Sequence, residues 1–94
     1  MLKSQTGKMN SKKITLSVKA PDAKEVILMG DFNNWDSKRH PMKKSGNGLW
    51  NKTVMLAPGK YEYKFLIDGN WKTDPSNDQI CLNRFGTLNN VLNL

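Results

Sequence analysis

The stretch KITLSVKA at 13–20 alternates Ile14, Leu16 and Val18 with Thr15, Ser17 and Lys19. A two-residue period of this kind places apolar side chains on one face of a strand and polar ones on the other. PDAK at 21–24 reads as a turn and EVILMG at 25–30 as a second strand. SGNG at 45–48 is a turn signal, LWNKTVML at 49–56 a further strand, and APG at 57–59 turns the chain again. KYEYKFLID at 60–68 sets Tyr61, Tyr63, Phe65 and Ile67 against Glu62, Lys64, Leu66 and Asp68. The aromatic-rich set marks the core face, so Lys64 is expected to project from the other side of the sheet. DGNW then bends the chain, a polar run KTDPSNDQ precedes a short apolar patch at Ile80–Leu82, and NNVLNL at 89–94 reads as the last strand.

No window sustains a 3.6-residue period. Short strands punctuated by Gly, Pro, Asn and Asp turns predict an all-β, antiparallel β-sandwich, with a small barrel as the alternative. A chain of 94 residues suits one domain with one modest core. The polar, aperiodic segment 1–12 reads as a flexible, lysine-rich lead, and 13–94 as the folded domain.

GDFNNWD at 30–36 interrupts the strand pattern. Gly30, Asn33 and Asn34 reach unusual backbone angles cheaply and read as turn residues, the two Asn through loop-shaping hydrogen bonds. Phe32 and Trp35 are not ordinary turn filler; one is expected to anchor the loop and the other to face outward.

The net charge of +7 changes this picture little. Lys3, Lys8, Lys12 and Lys13 crowd the lead, and the other basic residues are spread along the chain, with short pairs at Lys38–Arg39 and Lys43–Lys44. That distribution reads as a solvated surface, and no nucleic-acid partner is expected. The single cysteine, Cys81, excludes an intrachain disulfide and reads as a small buried apolar residue. No apolar run reaches the length of a membrane span, and MLKSQTGKMNSKK lacks the hydrophobic segment of a secretory signal. No membrane partner and a cytoplasmic, reducing setting are expected.

Catalytic chemistry finds little support. His40 is the sole histidine, lies in the polar loop SKRHPM and reads as a surface residue. Asp68, Asp74 and Asp78 each have a turn role that accounts for them better than a glycosidase carboxylate pair. GNG at 46–48 lacks the strand-to-helix setting of a phosphate loop, and no Cys/His cluster offers a metal site. The expectation is a non-enzyme without cofactor or metal.

Binding is better supported. Trp35 and Trp71 each end a polar turn, outside the alternation that would bury them. An outward indole is a flat platform for the apolar face of a pyranose ring, and Lys64, on the non-core face of the strand leading into DGNW, can supply hydrogen bonds beside it. Trp50, inside a strand, is expected to pack.

VILMGDFNNWD, GKYEYKFLIDGNWKTDP and FGTLNNVL occur in the order and approximate spacing of the glycogen-binding module of the AMP-activated protein kinase β subunit, and of the isoamylase-like α-glucan-binding domains. The chain resembles that family over about 13–94. The resemblance implies an early-set immunoglobulin-like β-sandwich that binds α-1,4-linked glucans, glycogen or starch-like, without cleaving them. It also implies that Trp35 and Trp71 stack on glucose rings, that Lys64 bonds sugar hydroxyls, and that Phe85, Thr87 and Asn89 complete the carbohydrate-binding set. Phe85 departs from the Leu of the family pattern. A kinase or a glycogen-metabolising enzyme is the implied protein partner. An alternative function is a protein-interaction sandwich of the same fold, to which Phe85 adds apolar surface.

Overall fold

The structure, a computed structural model, describes residues 11–94. The lysine-rich lead therefore lies outside the described residues as far as Asn10. Strands run β1 (Lys12–Lys19), β2 (Val26–Gly30), β3 (Lys43–Lys44), β4 (Leu49–Leu56), β5 (Lys60–Ile67), β6 (Asn70–Lys72), β7 (Ile80–Leu82) and β8 (Leu88–Asn93), with a 3₁₀ turn at Asp31–Asn33. One sheet has the order β1-β4-β3; the other has β2-β5-β8-β7 with β6 also paired to β5. Every pairing is antiparallel. The two sheets stay separate, which selects the expected sandwich over a barrel.

The alternation seen in the sequence sets which side chains meet between the sheets. Leu16 and Val18 of β1, Leu28 of β2, Val54 and Leu56 of β4, and Tyr63 and Phe65 of β5 form the core with Trp50. Each large side chain so buried contributes about 1.5–3 kcal/mol. Trp50 packs as expected, its indole N–H satisfied by the Ala20 carbonyl at 2.9 Å. Tyr61 and Ile67 lie half-buried at the margin of the same cluster.

Strand β2 departs from the two-residue period, because all five of its residues are buried. Its free edge is covered by the 40–42 segment: Leu28 N–H donates to the His40 carbonyl at 3.0 Å, and Met42 N–H to the Val26 carbonyl at 2.8 Å. His40, expected on the surface, is accordingly half-buried. Cys81 departs in the opposite direction: it is partly exposed, because β7 lies at the sheet edge.

Strand β6 was not legible as a strand, since Asn70, Trp71 and Lys72 are all exposed. It pairs Lys72 with Phe65 and Trp71 with Leu66. Strand β8 pairs with the earlier half of β5, from Lys60 to Tyr63. Since β2 holds one edge of β5, β8 and β6 divide the other, and Lys64 falls in the fork between them.

A buried polar network fastens the 73–79 connection to this fork. The Tyr63 hydroxyl donates to Asp74 Oδ2 at 2.8 Å and accepts from Asn77 Nδ2 at 3.1 Å. Asn90, fully buried, accepts from the Asp74 N–H at 2.6 Å and donates to the Asn77 carbonyl at 2.9 Å. Asp74 thus performs the turn role expected of it, with Oδ1 accepting from Ser76 N–H and Oγ.

Candidate functional site

The 31–36 loop, β5, β6 and the β7–β8 hairpin converge on a cleft of about 840 Å³, and all six side chains singled out in the sequence, Trp35, Lys64, Trp71, Phe85, Thr87 and Asn89, line it.

Trp35 is held there at a conformational cost. Asn34 and Trp35 both have φ near +56°, a left-handed geometry that Asn adopts readily but that costs Trp35 about 1–2 kcal/mol. Asn33, almost fully buried, offsets that cost from inside the loop. Its Oδ1 accepts the N–H groups of Gly30 and Trp35, each at 3.1 Å, while Nδ2 donates to the Leu28 carbonyl at 2.9 Å and His40 Nδ1 at 2.8 Å. The loop-shaping role expected of Asn33 is present in full. Gly30 is needed because a Cβ there would lie 2.7 Å from the Phe32 ring and 2.9 Å from the Glu62 carbonyl. Phe32 is the anchoring aromatic, packed against the core and edge-on to Tyr61 at 6.1 Å.

The indole of Trp35 donates to Asp31 Oδ1 at 3.0 Å. Trp35 therefore offers the cleft its ring and keeps its N–H engaged. Trp71 is 53% exposed, and the two indoles meet at a centroid distance of 6.2 Å with their planes 65° apart. They form an angled corner, not a flat shelf.

Lys64 projects to the outer face, as the pleat predicts, yet it is only 6% exposed. Its Nζ lies 5.6 Å from the Trp71 ring centroid and 3.4 Å from Thr87 Oγ1. Burial holds its pKa below the ordinary lysine range.

The hairpin turn supplies the rest. Asn83 Oδ1 accepts the N–H groups of Phe85 at 2.9 Å and Thr87 at 3.1 Å, and Asn83 Nδ2 donates to Thr87 Oγ1 at 2.8 Å and Asn89 Oδ1 at 3.0 Å. Gly86 takes the left-handed position of this turn at φ +81°. With Asn83 and Lys64 both directed at its lone pairs, Thr87 is left with its O–H free to donate. Asn89 Nδ2 donates to Glu62 Oε1 at 3.0 Å. One donor and one acceptor of that amide are thus engaged, and the rest of its capacity is unspent. Phe85 is 77% exposed at the cleft margin, with the Arg84 guanidinium 5.1 Å from its centroid.

Sequence reasoning missed Asp31, Glu62, Asn83 and Arg84, which also line the cleft. Asn83 had a usable signal, an Asn three residues before a Gly in a short polar turn. Asp31 had none, because its two acceptor contacts join a side chain four residues on and the backbone of Glu62.

The cleft has the make-up of a carbohydrate-binding surface: angled aromatic faces, one nearly covered lysine, and a hydroxyl and an amide with spare hydrogen-bonding capacity between them. Comparison with known proteins agrees. Residues 13–94 match the family described as the glycogen recognition site of AMP-activated protein kinase. The chain is 48% identical over 62 residues to Protein PTST homolog 2, chloroplastic, of Arabidopsis thaliana, which covers 65% of this chain and 12% of that protein. It is 41% identical over 70 residues to Protein FLOURY ENDOSPERM 6, chloroplastic, of Oryza sativa subsp. japonica, covering 74% and 13%. It is 41% identical over 69 residues to 5'-AMP-activated protein kinase subunit beta-1 of Sus scrofa, covering 73% and 53%. The chain thus spans about an eighth to about half of the length of these relatives. It belongs to the family of glycogen recognition sites of AMP-activated protein kinase, and is a non-catalytic carbohydrate-binding module.

Proposed function

We propose that the cleft binds α-1,4-linked glucan chains, glycogen or starch-like, with Trp35 and Trp71 stacking on successive glucose rings. The supporting observation is the 65° angle between the two indoles at 6.2 Å. An α-1,4 linkage turns the chain at every sugar, so consecutive rings present inclined faces; a β-1,4 chain is a flat ribbon and fits one plane. Lys64, Thr87 and Asn89 read the hydroxyls along this corner, and Phe85 extends its apolar wall. Stacking contributes on the order of 1–3 kcal/mol per ring, taking the value for nucleobases on aromatics. Two such contacts with partly offset hydrogen bonds give a dissociation constant of about 10 μM to 1 mM for a short oligosaccharide. A branched polymer is held more firmly by many modules at once.

The module serves to bring an attached or associated protein to glucan, a kinase or a glycogen-metabolising enzyme; the kinase β subunits among its relatives support that role. A reducing compartment such as the cytoplasm suits its lone thiol. Calorimetry with maltoheptaose and with cellohexaose tests the reading. Binding of the first alone supports it, and equal binding of both contradicts it. Maltoheptaose binding is also expected to vary little with salt, unlike contacts to nucleic acid.

A further inference from the structure

Beside the aromatic corner, a second cavity of about 440 Å³ opens around Trp71, lined by Lys64, Lys72, Thr73, Thr87 and Leu88. Its ionisable groups are both ammoniums, whereas the carboxylates of Asp31 and Glu62 line the main cleft only. The neighbouring carboxylates are committed elsewhere. Asp74 is 5% exposed, with Oδ2 on Tyr63 and Oδ1 on Ser76. Asp68 accepts the N–H groups of Lys24 and Glu25. Glu62 accepts from Asn89, and Asp31 from Trp35 and the Glu62 N–H. Lys64 exposes 6% of its surface; its ammonium has the Trp71 ring 5.6 Å away, and its one hydrogen-bond partner among the described residues is the Thr87 hydroxyl at a long 3.4 Å. The side chain is nearly covered while its ammonium opens on both cavities with one long hydrogen bond, so its shell is incomplete, and an anion completes it best. Two threonine hydroxyls beside the two lysines add the donors that phosphate oxygens accept.

We propose that this cavity is an anion subsite that takes a phosphate monoester carried on the bound α-glucan, held by Lys64 and Lys72 with Thr73 and Thr87. The proposal rests on the glucan reading above and extends it: the module favours phosphorylated over neutral chain. The acidic side of the main cleft, at Asp31 and Glu62, opposes a phosphate there and so fixes which end of the site the ester occupies.

The test compares maltoheptaose, a phosphorylated malto-oligosaccharide of similar length and inorganic phosphate by calorimetry, with the parent and with Lys72→Gln. The phosphorylated chain is expected to bind about tenfold tighter at low ionic strength, the gain of one charge-assisted hydrogen bond. That preference is expected to shrink as salt is raised, and to fall at least about threefold in Lys72→Gln. Equal affinity for the two oligosaccharides overturns the anion subsite and leaves the aromatic corner standing. Failure of both to bind overturns the corner and the subsite together. Inorganic phosphate binding as tightly as the phosphorylated chain overturns the glucan as the source of the anion.

Discussion

Asp31 ties the indole of Trp35 to β5: Oδ1 accepts the ring N–H at 3.0 Å while Oδ2 accepts the Glu62 N–H at 2.8 Å. One carboxylate thereby sets the ring orientation of a residue whose backbone is already confined to the left-handed region.

Asp31→Ala should therefore free the ring without unfolding the sandwich. Hydrogen bonds to a charged group contribute about 1.5–3 kcal/mol, and exposure of Asp31 places the loss at the low end. Maltoheptaose affinity is expected to fall about three- to tenfold, and Asp31→Asn is expected to lose part of it too, because its amide can accept only one of the two N–H groups. Titration calorimetry alongside thermal melting reads both effects, and unchanged affinity in Asp31→Ala would show that the tether is idle.

The aromatic corner also depends on the protonation of His40. Asn33 Nδ2 donates to His40 Nδ1 at 2.8 Å, so the ring must be neutral with its proton on Nε2. Burial, then the positive charges of Lys52 and Arg39, lower the His40 pKa below 6.5. The unfolded chain then binds the proton more readily than the folded one, and stability falls as pH drops. This contribution is complete above about pH 6.5 and is lost as pH falls through the folded-state value. Urea midpoints between pH 7.5 and 5 are expected to decline in the parent and less in His40→Gln. Parallel declines would remove His40 from the account.

Tyr63→Phe leaves Asp74 Oδ2 without its donor and removes one of the two acceptors of Asn77 Nδ2, which keeps the Val91 carbonyl. The expected loss is about 1–3 kcal/mol of stability. The same substitution loosens the connection between Trp71 on β6 and the hairpin that bears Phe85 and Thr87. Chemical denaturation gives the first effect and maltoheptaose affinity the second.

Lys64→Met reverses the usual direction of a core substitution. It replaces a nearly covered ammonium, which has the Trp71 ring beside it and one long hydrogen bond, with an apolar side chain of similar length, so stability is expected to hold or rise by up to about 1 kcal/mol. Sugar affinity is expected to fall about tenfold. A variant that melts lower than the parent contradicts this description of the fork.

How much of this was readable in the sequence varied with the physics involved. The strands bearing Leu16 and Val18, and Tyr63 and Phe65, were legible because a half-buried strand must alternate. The alternation also placed Lys64 on the outer face. It could not show that Lys64 is nearly covered, because that follows from β8 and β6 dividing one edge of β5. Strand β6 left no trace in the pattern, since its three side chains all face solvent. His40 was misread because its burial is caused by backbone pairing of the 40–42 segment with β2. Trp35 and Trp71 stood out as aromatics beyond any alternation, but their mutual angle is a tertiary fact that no local pattern carries.

The central claim is that Trp35 and Trp71 together form the glucan platform. Trp71→Ala tests it most directly, because this half-exposed side chain can be removed with little effect on the core. Titrating maltoheptaose into the parent and the variant, with melting temperatures measured in parallel, is expected to show at least about a tenfold loss of affinity at nearly unchanged stability. Equal affinity in a folded variant would contradict the platform.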